Sequence, residues 1–452
     1  MQSKEPVPFS EPPWLLGHPS PYYKESHRKW QRFCREFADE HFTPSALQWE
    51  RDGEVPAHVY DTFARHNMMV PNIPTPLPIK LLKSVGIHHV GPIAVEEFDY
   101  LHVIIYSSEM IRCGLMGPVT AITTGFAFGV PPIVHYGSPE LQERFLPDLL
   151  TGRTRICIAI TEPDAGSDVA NVQTVAEKTA DGKHYILNGT KKWITNGMWS
   201  DYASMCVRTG GKGPSGLSVL LVPLKNQKGV SMRKIPVSGG RASGTTFIEL
   251  DDVEVPVGNI LGKEGDGMKY IMVCWQEILA YHSSDLLFSQ NNFNHERLTI
   301  AALVGTQARV ALSTAFEWVM KREAFGSPLI NQAVVRHRLA KAGAELETLW
   351  AWIESFAYQM CHFKKGEADV KLGGLTALAK AKAGLVLNEC GQCAQLLFGG
   401  NGYTETGQGE LVAKIAKEIQ GARVPGGSED VLLDLAIRQL YKNHQRQIYT
   451  KL

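Results

Sequence analysis

The residues of this chain that can do chemistry fall in a few glycine- and hydroxyl-rich segments and at one glutamate. Ile160-Thr161-Glu162-Pro163-Asp164-Ala165-Gly166-Ser167-Asp168 sets a glycine beside a serine. Gly166 allows close approach of the backbone to a ligand, and Ser167 offers a hydroxyl and an N–H to a phosphate group. Taken alone, such a segment is more often a polar turn between strands. Lys192-Trp193-Ile194-Thr195-Asn196-Gly197 follows, and its tryptophan alone reads as a buried β-core residue. Phe398-Gly399-Gly400-Asn401-Gly402-Tyr403 ends a helical run in glycines; no βαβ unit surrounds it, so a dinucleotide-binding reading fails. Glu296, in Asn294-His295-Glu296-Arg297-Leu298, opens a long amphipathic pattern. A glutamate there is ordinarily solvated and stabilised by the helix dipole, or paired with a neighbour such as His295 or Arg297. An apolar pocket that raises its pKa turns the same carboxylate into a base. Pro425-Gly426-Gly427-Ser428-Glu429-Asp430 adds two glycines ahead of the last helix. Arg322, followed by Glu323-Ala324-Phe325-Gly326, reads by itself as a helix-end charge.

These residues need elements to hold them. From Ser10 to about Pro147 the pattern is mostly helical, with Trp30, Phe33 and Phe37 on one face of Glu25 to Phe42. Pro44 supplies a break, and the proline-rich stretch from Val70 to Pro78 reads as a loop or extended link. Ser107 to Phe128 reads as one buried helix, interrupted by Glu109 and Arg112. Near Arg155 the pattern changes to short apolar or alternating runs: Ile156 to Ile160, Tyr185 to Gly189, Tyr202 to Val207, Leu217 to Val222 and Phe247 to Pro256. Turns such as Asp181-Gly182 and Gly210-Gly211 divide them. From Asp266 helical periodicity returns, over Arg297 to Lys321, Asn331 to His362 and Leu372 to Leu397, lengths that suit a four-helix bundle. The expected organisation is α+β and multidomain: a helical unit over 1–150, a β unit over 151–256 and a helical bundle over 257–452.

Bulk properties narrow the classes. The chain has 46 Lys plus Arg and 46 Asp plus Glu, a balance that gives no electrostatic case for nucleic-acid binding. No apolar run was expected to span a membrane. The first residues show neither a secretory core nor an Arg-rich presequence, and Thr450-Lys451-Leu452 only loosely resembles a peroxisomal address. An intracellular soluble protein is expected, cytoplasmic or peroxisomal, with the mitochondrion left open. Cys390 and Cys393 have redox or metal spacing but continue a helical run with no second Cys or His pair. Packing cysteines and no metal are therefore expected.

Taken in order and spacing, these segments resemble the acyl-CoA dehydrogenase flavoprotein family over almost the whole chain. The resemblance implies a middle β-barrel between the helical units, FAD as cofactor and an acyl-CoA thioester as substrate. It implies an electron-transfer flavoprotein or another acceptor as partner, and a homotetramer. In that family a glutamate removes the proton next to the thioester carbonyl, from one of two positions. Here the commoner position is Gly426 and the alternative, used by the isovaleryl and long-chain types, is Glu296. By the same resemblance Trp193 packs on the flavin ring, and Ile160, Thr161 and Thr195 line its polar edge. Gly166 and Ser167 belong to the flavin segment. Arg322 pairs with the pyrophosphate of a neighbouring subunit's FAD, with Phe325 and Gln332 on its adenosine part. Gly400 carries over to the nucleotide loop, but the family's glutamine is replaced by Leu396, with Gln395 one step earlier. Gly427 and Ser428 lie beside the flavin, and a backbone N–H there supports the thioester oxygen. Glu429 falls three residues too late to be the base.

One segment departs from the family. About 18 residues, from about Cys274 to Asn291, interrupt the usual spacing between Met268-Lys269-Tyr270 and Glu296. They are either an insertion beside the acyl pocket or an intron translated in frame, and the clean join inside a helix favours the second. Three other functional readings stay open at this point: an oxidase passing electrons to oxygen, a flavin-binding homologue with little activity, and an enzyme acting on a carrier-bound thioester.

Overall fold

In the computed structural model, which describes residues 5–272, 293–364 and 366–449, helices come first, then a sheet, then helices again. The first unit holds α1 (Glu25–His41), α2 (Thr43–Asp52), α3 (Ala57–Arg65), α4 (Ile79–Ser84), the hairpin β1 (His89–Val90) and β2 (Ile93–Ala94), α5 (Tyr100–Met110), α6 (Met116–Thr124), α7 (Val130–Tyr136) and α8 (Pro139–Leu150). Helix α1 buries Trp30, Cys34, Phe37 and Ala38 along one stripe. Pro44 stands in the first turn of α2, where a missing N–H costs nothing.

The single helix expected from Ser107 to Phe128 is corrected. Helix α5 stops at Met110, Gly114 takes φ +78°, and α6 starts at Met116. A side chain at 114 would meet Val310 Cγ1 at 2.9 Å, so a glycine is what lets the C-terminal helices approach. Glu109 does not interrupt a helix at the surface: it is buried and accepts hydrogen bonds from Gln31 (2.9 Å) and Arg35 (3.0 Å). Asp99 caps α5, its Oδ1 accepting from the N–H groups of Leu101 (3.0 Å) and His102 (3.2 Å). The buried imidazoles of His27 and His102 meet the same carboxylate at 3.1 and 2.8 Å. In this grouping of metal-ligand residue types, both imidazoles are engaged with the Asp99 carboxylate, while His102 Nε2 is buried without a hydrogen-bond partner.

Between α6 and α7 the backbone widens into a π-turn, Gly125–Gly129. A Cβ on Gly125 would fall 2.4 Å from the carbonyl oxygen of Ile156, so this glycine seats the helix against the first strand of the middle unit. Met116–Tyr136 and Asn294–Lys321 are, by length and composition, apolar enough to cross a membrane, which the sequence reading had not anticipated. In each, 67% of the apolar window is buried inside the protein, the situation of a core helix.

The middle unit is an eight-stranded sheet of β3 (Ile156–Ala159), β4 (Val175–Lys178), β5 (His184–Ile194), β6 (Tyr202–Arg208), β7 (Leu217–Pro223), β8 (Val230–Lys234), β9 (Thr246–Pro256) and β10 (Ile260–Leu261). The path runs β10-β7-β6-β4-β5-β9-β8, and β3 pairs in parallel with β6. Inward residues such as Leu187, Met205, Val222, Ile248 and Val253 form a core of their own. Strands β4 and β8, which were not expected, read Val-Ala-Glu-Lys and Val-Ser-Met-Arg-Lys, too polar to stand out. The ladder between β5 and β9 is irregular between Leu187 and Gly189 and again between Lys191 and Ile194. Irregularities of this kind re-aim side chains next to sites.

The last unit holds α9 (Gly267–Met272), α10 (Phe293–Lys321), the hairpin β11 (Glu323–Ala324) and β12 (Ser327–Pro328), α11 (Ala333–His362), α12 (Glu367–Phe398), α13 (Glu410–Arg423) and α14 (Glu429–Tyr449). Cys390 and Cys393 sit on the buried face of α12; the Cys390 thiol approaches the Ala342 carbonyl of α11 at 3.7 Å, and burial pushes both thiols up. The extra segment from Cys274 to Asn291 lies outside the described residues.

Candidate active site

Glu296 stands in the first turn of α10, where its neighbours are anchored by buried hydrogen bonds. Asn294 donates to the Ala368 carbonyl (3.1 Å) and accepts from the Thr376 hydroxyl (2.7 Å). Arg297 donates to the Gly373 carbonyl (3.2 Å). His295 and Arg297 are 3% and 4% exposed, which overturns the surface ion pair considered from the sequence. Glu296 itself is half-buried. Burial pushes its carboxyl up to about 7, against the opposing pull of Arg297 and Lys380. His295 is held down to about 4 by burial, so it is neutral at physiological pH.

Across from Glu296 lies the turn between α13 and α14. Gly426 and Gly427 take φ +70° and +102°, which L side chains rarely adopt. A Cβ on Gly426 would stand 3.5 Å from Glu296 Oε1, 3.9 Å from Lys380 Cε and 2.6 Å from Ile300 Cδ1. A Cβ on Gly427 would meet Leu432 Cδ2 at 2.7 Å, so that position is closed to larger residues. Glu429 is engaged in an ion pair with Arg423 (2.8 Å). Lys380, which the sequence hides in a helical run, is 1% exposed and joins the same cluster from α12.

The segments read as a flavin site frame the end of β5. Glu162, inside the Ile160–Asp168 segment, points inward. It pairs with the buried Lys191 (2.7 Å) and accepts from the N–H groups of Gln173 (2.6 Å) and Thr174 (3.0 Å). Lys191 also donates to the Ile160 carbonyl (3.1 Å), and Lys192 N–H donates to the Thr161 carbonyl (2.9 Å). Thus Ile160 and Thr161 are locked onto β5 two residues before Trp193. Trp193 takes φ +66° after the bulge and is 51% exposed, with Lys192 Nζ 4.8 Å from its ring centre. It is not the buried core tryptophan that its type alone suggests. Thr195 is half-buried beside it, Gly166 and Ser167 are exposed, and a Cβ on Gly166 would meet nothing within 4 Å. Asn196 Oδ1 is buried without a hydrogen-bond partner in the chain. A presented indole, an open glycine turn and an orphaned acceptor fit a planar, phosphate-bearing cofactor.

A separate group lies on the outer surface. Phe325 (φ +55°) and Gly326 (φ +75°) form the two-residue turn of the β11–β12 hairpin, as a type I′ turn requires. Phe325 is 93% exposed, Arg322 is exposed and Gln332 half-buried. Gly400 is exposed with nothing within 4 Å of a Cβ, while Leu396 is 62% exposed and Gln395 turns inward to the Gly402 carbonyl (3.3 Å). Arg322, Phe325, Leu396 and Gly400 are thus exposed on the surface of the chain.

Family models match three successive stretches of the chain. The N-terminal, middle and C-terminal domains of acyl-CoA dehydrogenase match residues 24–153, 157–253 and 286–441. The chain is 61% identical over 436 residues to acyl-CoA dehydrogenase apdG of Emericella nidulans, covering 96% of this chain and 95% of that protein. It is 28% identical over 425 residues to the mitochondrial long-chain specific acyl-CoA dehydrogenase of Mus musculus, covering 92% and 87%. The crystal structure of a probable acyl-CoA dehydrogenase from Mycobacterium abscessus superposes with a TM-score of 0.78 at 26% identity, covering 93% of this chain and all (100%) of that one. This chain belongs to the acyl-CoA dehydrogenase family, and is an FAD-dependent oxidoreductase.

Proposed function

We propose that the chain dehydrogenates an acyl-CoA thioester between its α and β carbons, with Glu296 as the base. The observation that carries this reading is the placement of the Glu296 carboxylate against the side-chain space of Gly426, in surroundings that raise its pKa to about 7. A base poised near the working pH takes a proton most effectively. Glu296 removes the α-proton, leaving negative charge to develop on the thioester oxygen. The backbone N–H at Gly427, in the turn facing Glu296, is the donor assigned to that oxygen, with Ser428 beside it. The chemistry supplied by bound FAD is acceptance of the hydride from the β carbon.

Trp193 gives the ring a stacking face, while Ile160, Thr161 and Thr195 border its polar edge. Gly166 and Ser167 offer backbone and hydroxyl to the pyrophosphate. Arg322, Phe325, Gln332 and Gly400 are assigned to FAD of a second subunit, a reading that the exposure of Arg322, Phe325 and Gly400 in their own chain supports. That assignment requires a homo-oligomer, which we take as the family's tetramer, with an electron-transfer flavoprotein as acceptor. Fatty acyl metabolism is the setting that this substrate class suggests.

Anaerobic titration of the FAD-loaded protein with short, branched and long acyl-CoAs tests the reading. Loss of the oxidised flavin absorbance with one chain class is the expected result. A yellow protein that no acyl-CoA reduces would reject it.

A further inference from the structure

Lys380 is the least expected member of the cluster. Its side chain is 1% exposed, yet among the described residues no carboxylate lies within salt-bridge distance of it. A buried ammonium without a paired anion is costly unless its protons are satisfied. Here Nζ donates to the Arg423 carbonyl at 3.0 Å and to the Gly427 carbonyl at 2.6 Å. These two carbonyls bracket the turn that carries Gly426. Arg423 closes the same span from the other side through its ion pair with Glu429. The lysine stem and the Glu296 carboxylate also both border the Cβ position of Gly426, at 3.9 and 3.5 Å from it.

The charged groups facing this space come from each element packed around it. Helix α10 contributes Glu296 and Arg297, α12 contributes Lys380, and the turn into α14 contributes Arg423 and Glu429. Arg423 and Glu429 neutralise each other, and Arg297 is engaged with the Gly373 carbonyl. That leaves Lys380 as the cation whose anchor is the turn itself.

We propose that Lys380 is a positioning residue for the reaction, holding the Gly426–Gly427 turn in register with Glu296 and favouring the ionised form of that carboxylate. The proposal rests on the reading of Glu296 as the base. One ammonium thereby couples the two halves of proton removal: the backbone that faces the thioester oxygen and the group that takes the proton. Burial lowers Lys380 itself to about 8, with Glu296 and Glu429 opposing, so it remains cationic at neutral pH.

The test is the rate of flavin reduction in single turnover between pH 5.5 and 9.5, using an acyl-CoA that reduces the wild type. Lys380→Met should keep FAD. Its rising limb should lie about one pH unit higher than the wild type's, with a rate roughly five-fold lower at pH 7 that recovers at pH 9. Lys380→Arg should keep the wild-type limb. A strut that only holds the fold would change melting temperature or FAD content without moving the limb. An unmoved limb in FAD-loaded Lys380→Met therefore overturns the proposal. If Lys380→Met does not fold, Lys380→Gln takes its place, since its amide still donates to one carbonyl; loss of FAD in both assigns the lysine to structure alone and overturns the proposal as well. The two levels separate cleanly. If the wild type is not reduced, or Glu296→Gln is reduced as fast as the wild type, the base assignment fails and this proposal falls with it. If both behave as proposed and the limb stays put, only the role of Lys380 fails.

Discussion

A Cβ built on Gly426 would stand 3.5 Å from Glu296 Oε1, so the chain's two possible base positions open onto one volume. The carboxylate of one borders the side-chain position of the other at contact distance, and Ile300 Cδ1 lies closer still. The same volume explains why an additional side chain at 426 is not free. Its φ of +70° disfavours any L residue, and Ile300 Cδ1 lies 2.6 Å from the ideal Cβ.

Relocating the base is therefore expected to succeed only with room made for it. In a Glu296→Gln background, Gly426→Glu should recover flavin reduction weakly. Adding Ile300→Ala should raise that recovery by about ten-fold or more, as the blocking methyl goes. A triple variant no faster than Glu296→Gln in stopped-flow absorbance would show that position 426 does not reach the substrate.

The raised pKa of Glu296 has a consequence for stability. The folded state keeps this proton to about pH 7, whereas the unfolded chain releases it near the ordinary value of 4.5. Stability contributed by the protonated form is present below about 4.5 and is lost as pH rises toward 7. Glu296→Gln removes that loss. Its stability advantage over the wild type should be larger at pH 8 than at pH 5, by about 1–2 kcal/mol once the partly open face of the residue is discounted. Urea melts at the two pH values measure it, and an equal difference at both would contradict the assignment.

Lys191 and Glu162 lock the flavin-side loop to β5. Lys191→Met leaves Glu162 buried and unpaired and should cost about 3–5 kcal/mol. FAD content should fall with it, because Ile160 loses the hydrogen bond from Lys191 Nζ and Glu162, next to Thr161, loses its cation two residues from Trp193. A variant that melts like the wild type would mean the pair is dispensable.

How much of this was legible in the sequence depended on whether a residue's role is local. The glycines ahead of the last helix and the helix start near Glu296 are short-range patterns, and each appears where the spacing placed it, whereas the Phe325-Gly326 hairpin turn was not read from the sequence. Lys380 was not legible. In Ala379-Lys380-Ala381-Lys382 it reads like its neighbour Lys382, and only the packing of the α13–α14 turn on α12 decides which lysine is buried. Glu162 was legible as part of a segment but not in its role, since its partner Lys191 comes from a different strand. The long helix expected through Gly114 failed for a related reason. One glycine whose left-handed backbone admits Val310 from a distant helix outweighed a continuous apolar run.

Arg322 and Phe325 project from a surface hairpin, with Phe325 93% exposed in the chain. Arg322→Ala and Phe325→Ala should leave the melting temperature of the apoprotein within about 2 °C, since surface changes seldom exceed about 0.5 kcal/mol. Both should weaken FAD retention on gel filtration. Unchanged cofactor content would make this hairpin an ordinary surface feature and remove its part in a second subunit's site.

The most direct test of the central claim is single-turnover flavin reduction in Glu296→Gln, with FAD content matched to the wild type. Loss of the base should slow reduction by about a thousand-fold while the protein stays yellow and still binds acyl-CoA. Reduction at the wild-type rate would show that another group takes the α-proton, and the account of this site would be wrong.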